Sequence, residues 1–179
     1  VKSIELLISQ ELLDQNLTDF NIKTSDGVLV PCNKFVFSVQ SPVFKKMLWS
    51  PDCCWKESRE NVVELPYEAA VVKLLVQFLY KGTLEVEYDM ERLANLLQIS
   101  HMYELFDLSK LVSERILRAL SPSNLCLALL SFYRFESESY VKSCIEFLDL
   151  HLMQVAMQDP CWSQVHHEQN LYRMIHSAT

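Results

Sequence analysis

The chain has 179 residues, half of them apolar, and carries 23 acidic against 16 basic side chains for a formal charge of -7. That length supports one large domain or two small ones, and the acidic balance leaves no basic field to hold phosphates, which excludes nucleic acid as the primary partner. No apolar run reaches the roughly 20 residues of a membrane span, and the first residues lack the charged start and cleavage site of a secretory leader, so the expected location is intracellular, in cytoplasm or nucleus, without membrane contact.

Residues 3–15 place Ile4, Leu7, Ile8, Glu11 and Leu12 at helical spacing, a stripe that covers either the chain's own core or a second copy of the chain. Residues 19–23 then alternate, Asp26-Gly27 supplies a turn, and Val28-Leu29-Val30 resumes the extended pattern, which predicts a hairpin. Residues 33–40 read as a short helix carrying Phe35, Val36 and Val39. Ser41 is placed as the N-cap of a second helix whose first residue is Pro42 and whose inward stripe is Val43, Phe44, Met47 and Leu48. Residues 50–60 read as a charged loop holding Trp55, followed by a third strand over Val62-Val63-Glu64-Leu65 that ends at Pro66.

From Glu68 to Lys81 the run leaves almost no polar face, which predicts a buried helix stopped by Gly82. Residues 83–87 extend one short strand. After that the pattern is helical throughout: 90–100, 102–105 leading into 108–120, 123–132 and 137–150, with one more amphipathic helix available over 161–179. Leu120-Ser121-Pro122-Ser123 is the best domain seam, dividing the chain at 1–120 and 121–179.

Catalysis finds little to stand on. Only Gly27 and Gly82 occur, too few for a phosphate-cradling loop or a nucleophile elbow. After His167-Glu168, Leu171 stands where a zincin would have its second histidine, and Cys161, His166 and His167 fit no closed tetrahedral zinc pattern. No metal or other cofactor is expected, and the chain is not expected to be an enzyme; a carboxylate pair assembled only on folding is the one catalytic arrangement that spacing leaves open. The six cysteines are scattered through predicted elements of a chain large enough to need no staples, so they are expected as thiols. Asn16-Leu17-Thr18 matches a glycosylation acceptor that is used only in the secretory route.

The order of elements over residues 17–120, with Asp19, Lys34, Ser41-Pro42-x-Phe44, the Val62 to Leu65 strand, Phe78-Leu79-Tyr80-x-Gly82 and Tyr103, resembles the BTB (POZ) domain. Asn33 departs from it, because the family has histidine before the lysine. The resemblance implies an α+β fold, a short mixed sheet in the first half covered by helices. Ser123-Asn124-Leu125-Cys126 and residues 151–155 resemble the start of a BACK helical extension, so an all-helical BACK-like segment is expected to follow.

The same resemblance implies a homodimer, assigning Ile4, Leu7, Ile8, Leu12, Phe35 and Val39 to self-association. It also implies a cullin scaffold as partner. Trp55-Lys56-Glu57 matches the hydrophobic-x-Glu pattern of cullin-binding members, with Met47, Phe44 and Tyr103 flanking it. The functional expectation is an adaptor of a cullin-RING ubiquitin ligase that holds its substrate through sequence outside this chain. The alternative is a dimeric scaffold in transcriptional or cytoskeletal regulation that binds no cullin. Physically, Trp55 is either an apolar anchor seated in a partner, with Glu57 setting register, or an indole folded onto its own core.

Overall fold

The computed structural model describes residues 17–49, 56–84, 89–135, 138–147 and 161–178. The helix expected over 3–15 and residues 85–87 of the expected short strand lie outside these residues, and Thr83 and Leu84 are not in a strand. The chain divides into two compact units, Val1–Glu87 with Met102–Leu105, and Tyr88–His101 with Phe106–Thr179.

In the first unit, β1 (Phe20–Lys23) and β2 (Leu29–Cys32) form the expected antiparallel hairpin, and β3 (Val62–Glu64) joins β1 in parallel, giving the order β2-β1-β3. Alternation sorts the faces. Phe20, Ile22, Val30, Cys32 and Val63 are buried on one side, while Lys23 and Glu64 pair across the register of the other at 3.2 Å. Pro31 lies within β2, the sheet's outer strand, where its missing N–H costs no ladder bond.

Helices α1 (Lys34–Gln40) and α2 (Pro42–Trp49) follow. Ser41 joins them, as the spacing predicts: its hydroxyl accepts from the Phe44 amide at 3.0 Å and donates to the Tyr103 carbonyl at 2.6 Å, and the residue is fully buried. Behind it runs an aromatic column. Phe20 meets Phe37 edge-on at 5.1 Å, Phe37 meets Phe44 edge-on at 5.0 Å, and Phe44 stacks on Tyr103 at 4.2 Å.

Where a loop is expected up to residue 60, Lys56–Glu60 forms a short helix, α3. Glu57 in its first turn and Arg59 in its last suit the helix dipole. Asn61 closes it from a left-handed conformation (φ 53), donating its N–H to the Glu57 carbonyl. Helix α4 (Ala69–Lys81) is buried on most sides, and Gly82 stops it at φ 70 with its N–H on the Phe78 carbonyl. Its start is capped from a distance, since the Asp26 carboxylate in the hairpin turn accepts the Ala69 amide at 3.1 Å. Donation from the Thr24 hydroxyl holds that carboxyl below its usual range.

The second unit is helical: α5 (Met90–Met102) up to His101, then α6 (Phe106–Arg118), α7 (Leu125–Phe135), α8 (Glu138–Glu146), α9 (Trp162–His167) and α10 (Gln169–Ala178). The turn before α7 is pinned by Asn124, whose side chain accepts from Ser121 N–H and donates to the Ala119 carbonyl, both at 2.8 Å. Seven residues of α7, from Leu125 to Phe132, are buried, and Phe132 stacks on Tyr140 of α8 at 5.1 Å.

The tail forms two helices rather than the one expected. Glu168 leaves helical geometry (φ -89, ψ 81), and its carboxylate stands 3.6 Å from Arg134. Trp162, Val165, Leu171 and Ile175 are buried.

Ser41→Ala removes a cap and orphans a buried carbonyl, and is expected to lower unfolding free energy by about 3 kcal/mol with an unchanged urea m-value. Ser113 offers the contrast: its hydroxyl is buried with no hydrogen-bond partner among the described residues, so Ser113→Ala should leave the urea midpoint level or raised.

Candidate protein-interaction surface

Asn33 caps α1 where the resembled family has histidine. Its side-chain oxygen accepts from the Phe35 and Val36 amides at 2.9 and 3.4 Å, its Nδ2 donates to the Leu17 carbonyl at 2.7 Å, and its own N–H donates to the Tyr80 hydroxyl at 2.9 Å. The departure therefore keeps the local bonds a helix start requires.

The α1–α2 pair has two faces. Val36, Phe37, Phe44 and Leu48 point inward and are buried. At 3.6 residues per turn the remaining apolar side chains must point away, and Phe35, Val39 and Trp49 are 67%, 68% and 56% exposed. They line a pocket of about 440 Å³ with Ser38, Pro42 and Lys45. Trp49 is steadied by Lys34, whose ammonium lies 5.8 Å from the ring centroid and also donates to Asn61 Oδ1. Phe35 and Val39, the described members of the expected self-association set, thus share one surface. Ile4, Leu7, Ile8 and Leu12 lie outside the described residues. Trp49 was missed because it falls off the inward stripe, and an outward apolar residue has meaning only beside its neighbours.

The expected scaffold-binding set separates into layers. Glu57 is half-buried on α3, and Met47 is half-buried on α2. Phe44 has no exposed surface and Tyr103 very little, so both are core side chains that position α2 and cannot themselves form a contact surface. Trp55 lies outside the described residues. Burial, then the neighbouring Tyr67 and Glu57, pushes the Tyr103 phenol up to about 12. Tyr80 is likewise raised to about 12, first by burial.

Among the described residues, no group of three potential ligands could hold a metal ion, and no helix is long and apolar enough to cross a membrane. Cys32, Cys126, Cys144 and Cys161 are thiols, and burial raises Cys144 to about 12.

The phenols determine behaviour in base. A tyrosine ionises near 10 when unfolded, whereas Tyr80 and Tyr103 hold their protons to about 12 in the fold. The unfolded chain releases protons first, so stability is complete below pH 10 and falls as pH rises toward 12. Urea midpoints across that window should decline, and Tyr103→Phe should flatten part of the decline.

Comparison with known proteins places residues 9–120 on the family model described as BTB/POZ domain. The chain is 24% identical over 123 residues to BTB and MATH domain-containing protein 40 of Caenorhabditis elegans, covering 68% of this chain and 30% of that protein. It is 30% identical over 120 residues to BTB/POZ and TAZ domain-containing protein 2 of Arabidopsis thaliana, covering 63% and 32%. A further Arabidopsis thaliana BTB/POZ domain-containing protein is 27% identical over 147 residues, covering 80% and 69%. The chain spans less than a third of the length of the first two relatives. Among solved structures, the BTB (Tramtrack and Bric a brac) domain of human Gigaxonin matches with a TM-score of 0.48 at 18% identity, covering 64% of this chain and 93% of that one.

Proposed function

Because this chain belongs to the BTB/POZ domain family, a family of protein-interaction modules, we propose that it is a homodimeric adaptor that grips a cullin scaffold and presents a substrate held by sequence outside residues 1–179. The observation that carries the interaction reading is the outward apolar face of α1 and α2, where Phe35, Val39 and Trp49 share one pocket. A monomer gains nothing by holding three large apolar side chains in water side by side, whereas a two-fold partner covers the patch twice.

The scaffold contact is assigned to Trp55 and Glu57, with Met47 as a further member. Phe44 and Tyr103 serve it by fixing the α2 backbone. Glu57 is supported as a contact by its place in the first turn of α3, half-buried on an element braced at its end by Asn61. An apolar anchor beside a register-setting carboxylate is the arrangement that concentrates binding energy in a small area. The helices after residue 120 are read as a BACK-like extension.

Two measurements test this. Sedimentation equilibrium at micromolar concentration should return a dimer, and Phe35→Asp with Val39→Asp should return a monomer of unchanged helicity; a wild-type monomer removes the self-association reading. In calorimetry with a purified cullin amino-terminal domain, Trp55→Ala should cost about 2 kcal/mol or more. Equal affinities for wild type and variant would remove the anchor role, and a dimer that binds no cullin would leave the scaffold function without the ligase.

A further inference from the structure

A second cavity, of about 210 Å³, lies within the helical unit and is lined by residues of α5, α7 and α9. Helix α7 supplies its apolar floor and its charge. Leu127, Leu130 and Arg134 fall three and four residues apart, so they share one face of that helix, and Phe135 adds an aromatic wall.

The polar side of the cavity is built from carboxamides. Asn95 and Gln98 stand three residues apart on one face of α5, and Gln164 of α9 lines the same space. None of the three side chains has a hydrogen bond among the described residues, so each offers both a donor and an acceptor. That is the complement of a peptide group, which offers one of each.

The charge of Arg134 is only loosely engaged. Glu168 stands 3.6 Å away, farther than a hydrogen bond reaches, and both side chains are partly exposed. An ion pair of that kind contributes little, so a second carboxylate can take the parallel donors of the guanidinium at small cost. Volume narrows the ligand further. The cavity is smaller than the roughly 300–1,000 Å³ that holds a whole small-molecule ligand, but it suits the end of a chain whose remainder leads out past the exposed Arg134 and Gln164.

We propose that this cavity receives the free C-terminus of a partner polypeptide. Arg134 pairs with the terminal carboxylate, Asn95, Gln98 and Gln164 bond the last peptide groups, and Leu127, Leu130 and Phe135 take an apolar final side chain. Glu168 is the internal competitor for Arg134. The site is independent of the self-association and scaffold readings, which concern the first unit, so either can fail without the other.

Fluorescence anisotropy on the full chain tests it, with dye-labelled tetrapeptides ending in leucine, valine or phenylalanine, each as a free carboxylate and as a C-terminal amide. The free carboxylates should bind, and the amides about tenfold or more weakly, the loss expected when a charge-assisted hydrogen bond is removed. Arg134→Gln should lose the preference for the carboxylate. Glu168→Gln, which removes the competitor, should tighten binding about threefold. Ala94 also lines the cavity, and Ala94→Phe, which fills it without changing any charge, should abolish binding with unchanged helicity by circular dichroism.

Amides that bind as tightly as free carboxylates overturn the proposal, as does the absence of binding at millimolar peptide. A preference that survives Arg134→Gln, or binding that survives Ala94→Phe, also overturns it. Should Ala94→Phe lose helicity, the exposed substitution Arg134→Gln decides alone.

Discussion

One hydroxyl sets the geometry of the first unit. The Ser41 oxygen caps α2 and donates to the Tyr103 carbonyl, so the same buried atom starts a helix and ties it to a segment distant in sequence. The aromatic column from Phe20 to Tyr103 acts in parallel. It links β1, α1, α2 and the residues after α5 through ring contacts that tolerate little displacement. With α1 and α2 held at both levels, their inward residues are committed.

The exposed face follows from that commitment. Each helix of the pair is too short to give its apolar residues more than one alternative, and once Phe37, Phe44 and Leu48 are inside, Phe35, Val39 and Trp49 are outside. The outward set is large and contiguous, and the Lys34 ammonium lies 5.8 Å from the Trp49 ring centroid.

The C-terminal helices solve a different problem. Helix α7 buries residues on more than one face, so it needs neighbours on several sides. Helices α8 and α9 both pack on it. The buried Trp162, Val165, Leu171 and Ile175 make residues 161–178 a part of the second unit's core rather than an appendage. The Arg134–Glu168 pair lies at the break between α9 and α10.

Local signals were legible in the sequence because their causes are local. The Asp26-Gly27 turn, the Ser41-Pro42 cap and the Gly82 stop each depend on backbone conformations that neighbouring residues set, whereas Phe35 and Val39 were singled out only through the family resemblance. The tertiary structure alone decided the parallel pairing of β1 with β3, the capping of α4 by Asp26, the short helix at Glu57, the break at Glu168 and the union of Trp49 with Lys45 and Ser38. It also placed Phe44 and Tyr103 in the core of the first unit, stacked on one another. Sequence spacing reports which residues share a face of one element, but which face another element covers depends on contacts between residues far apart in the chain, and those exist only once it has folded.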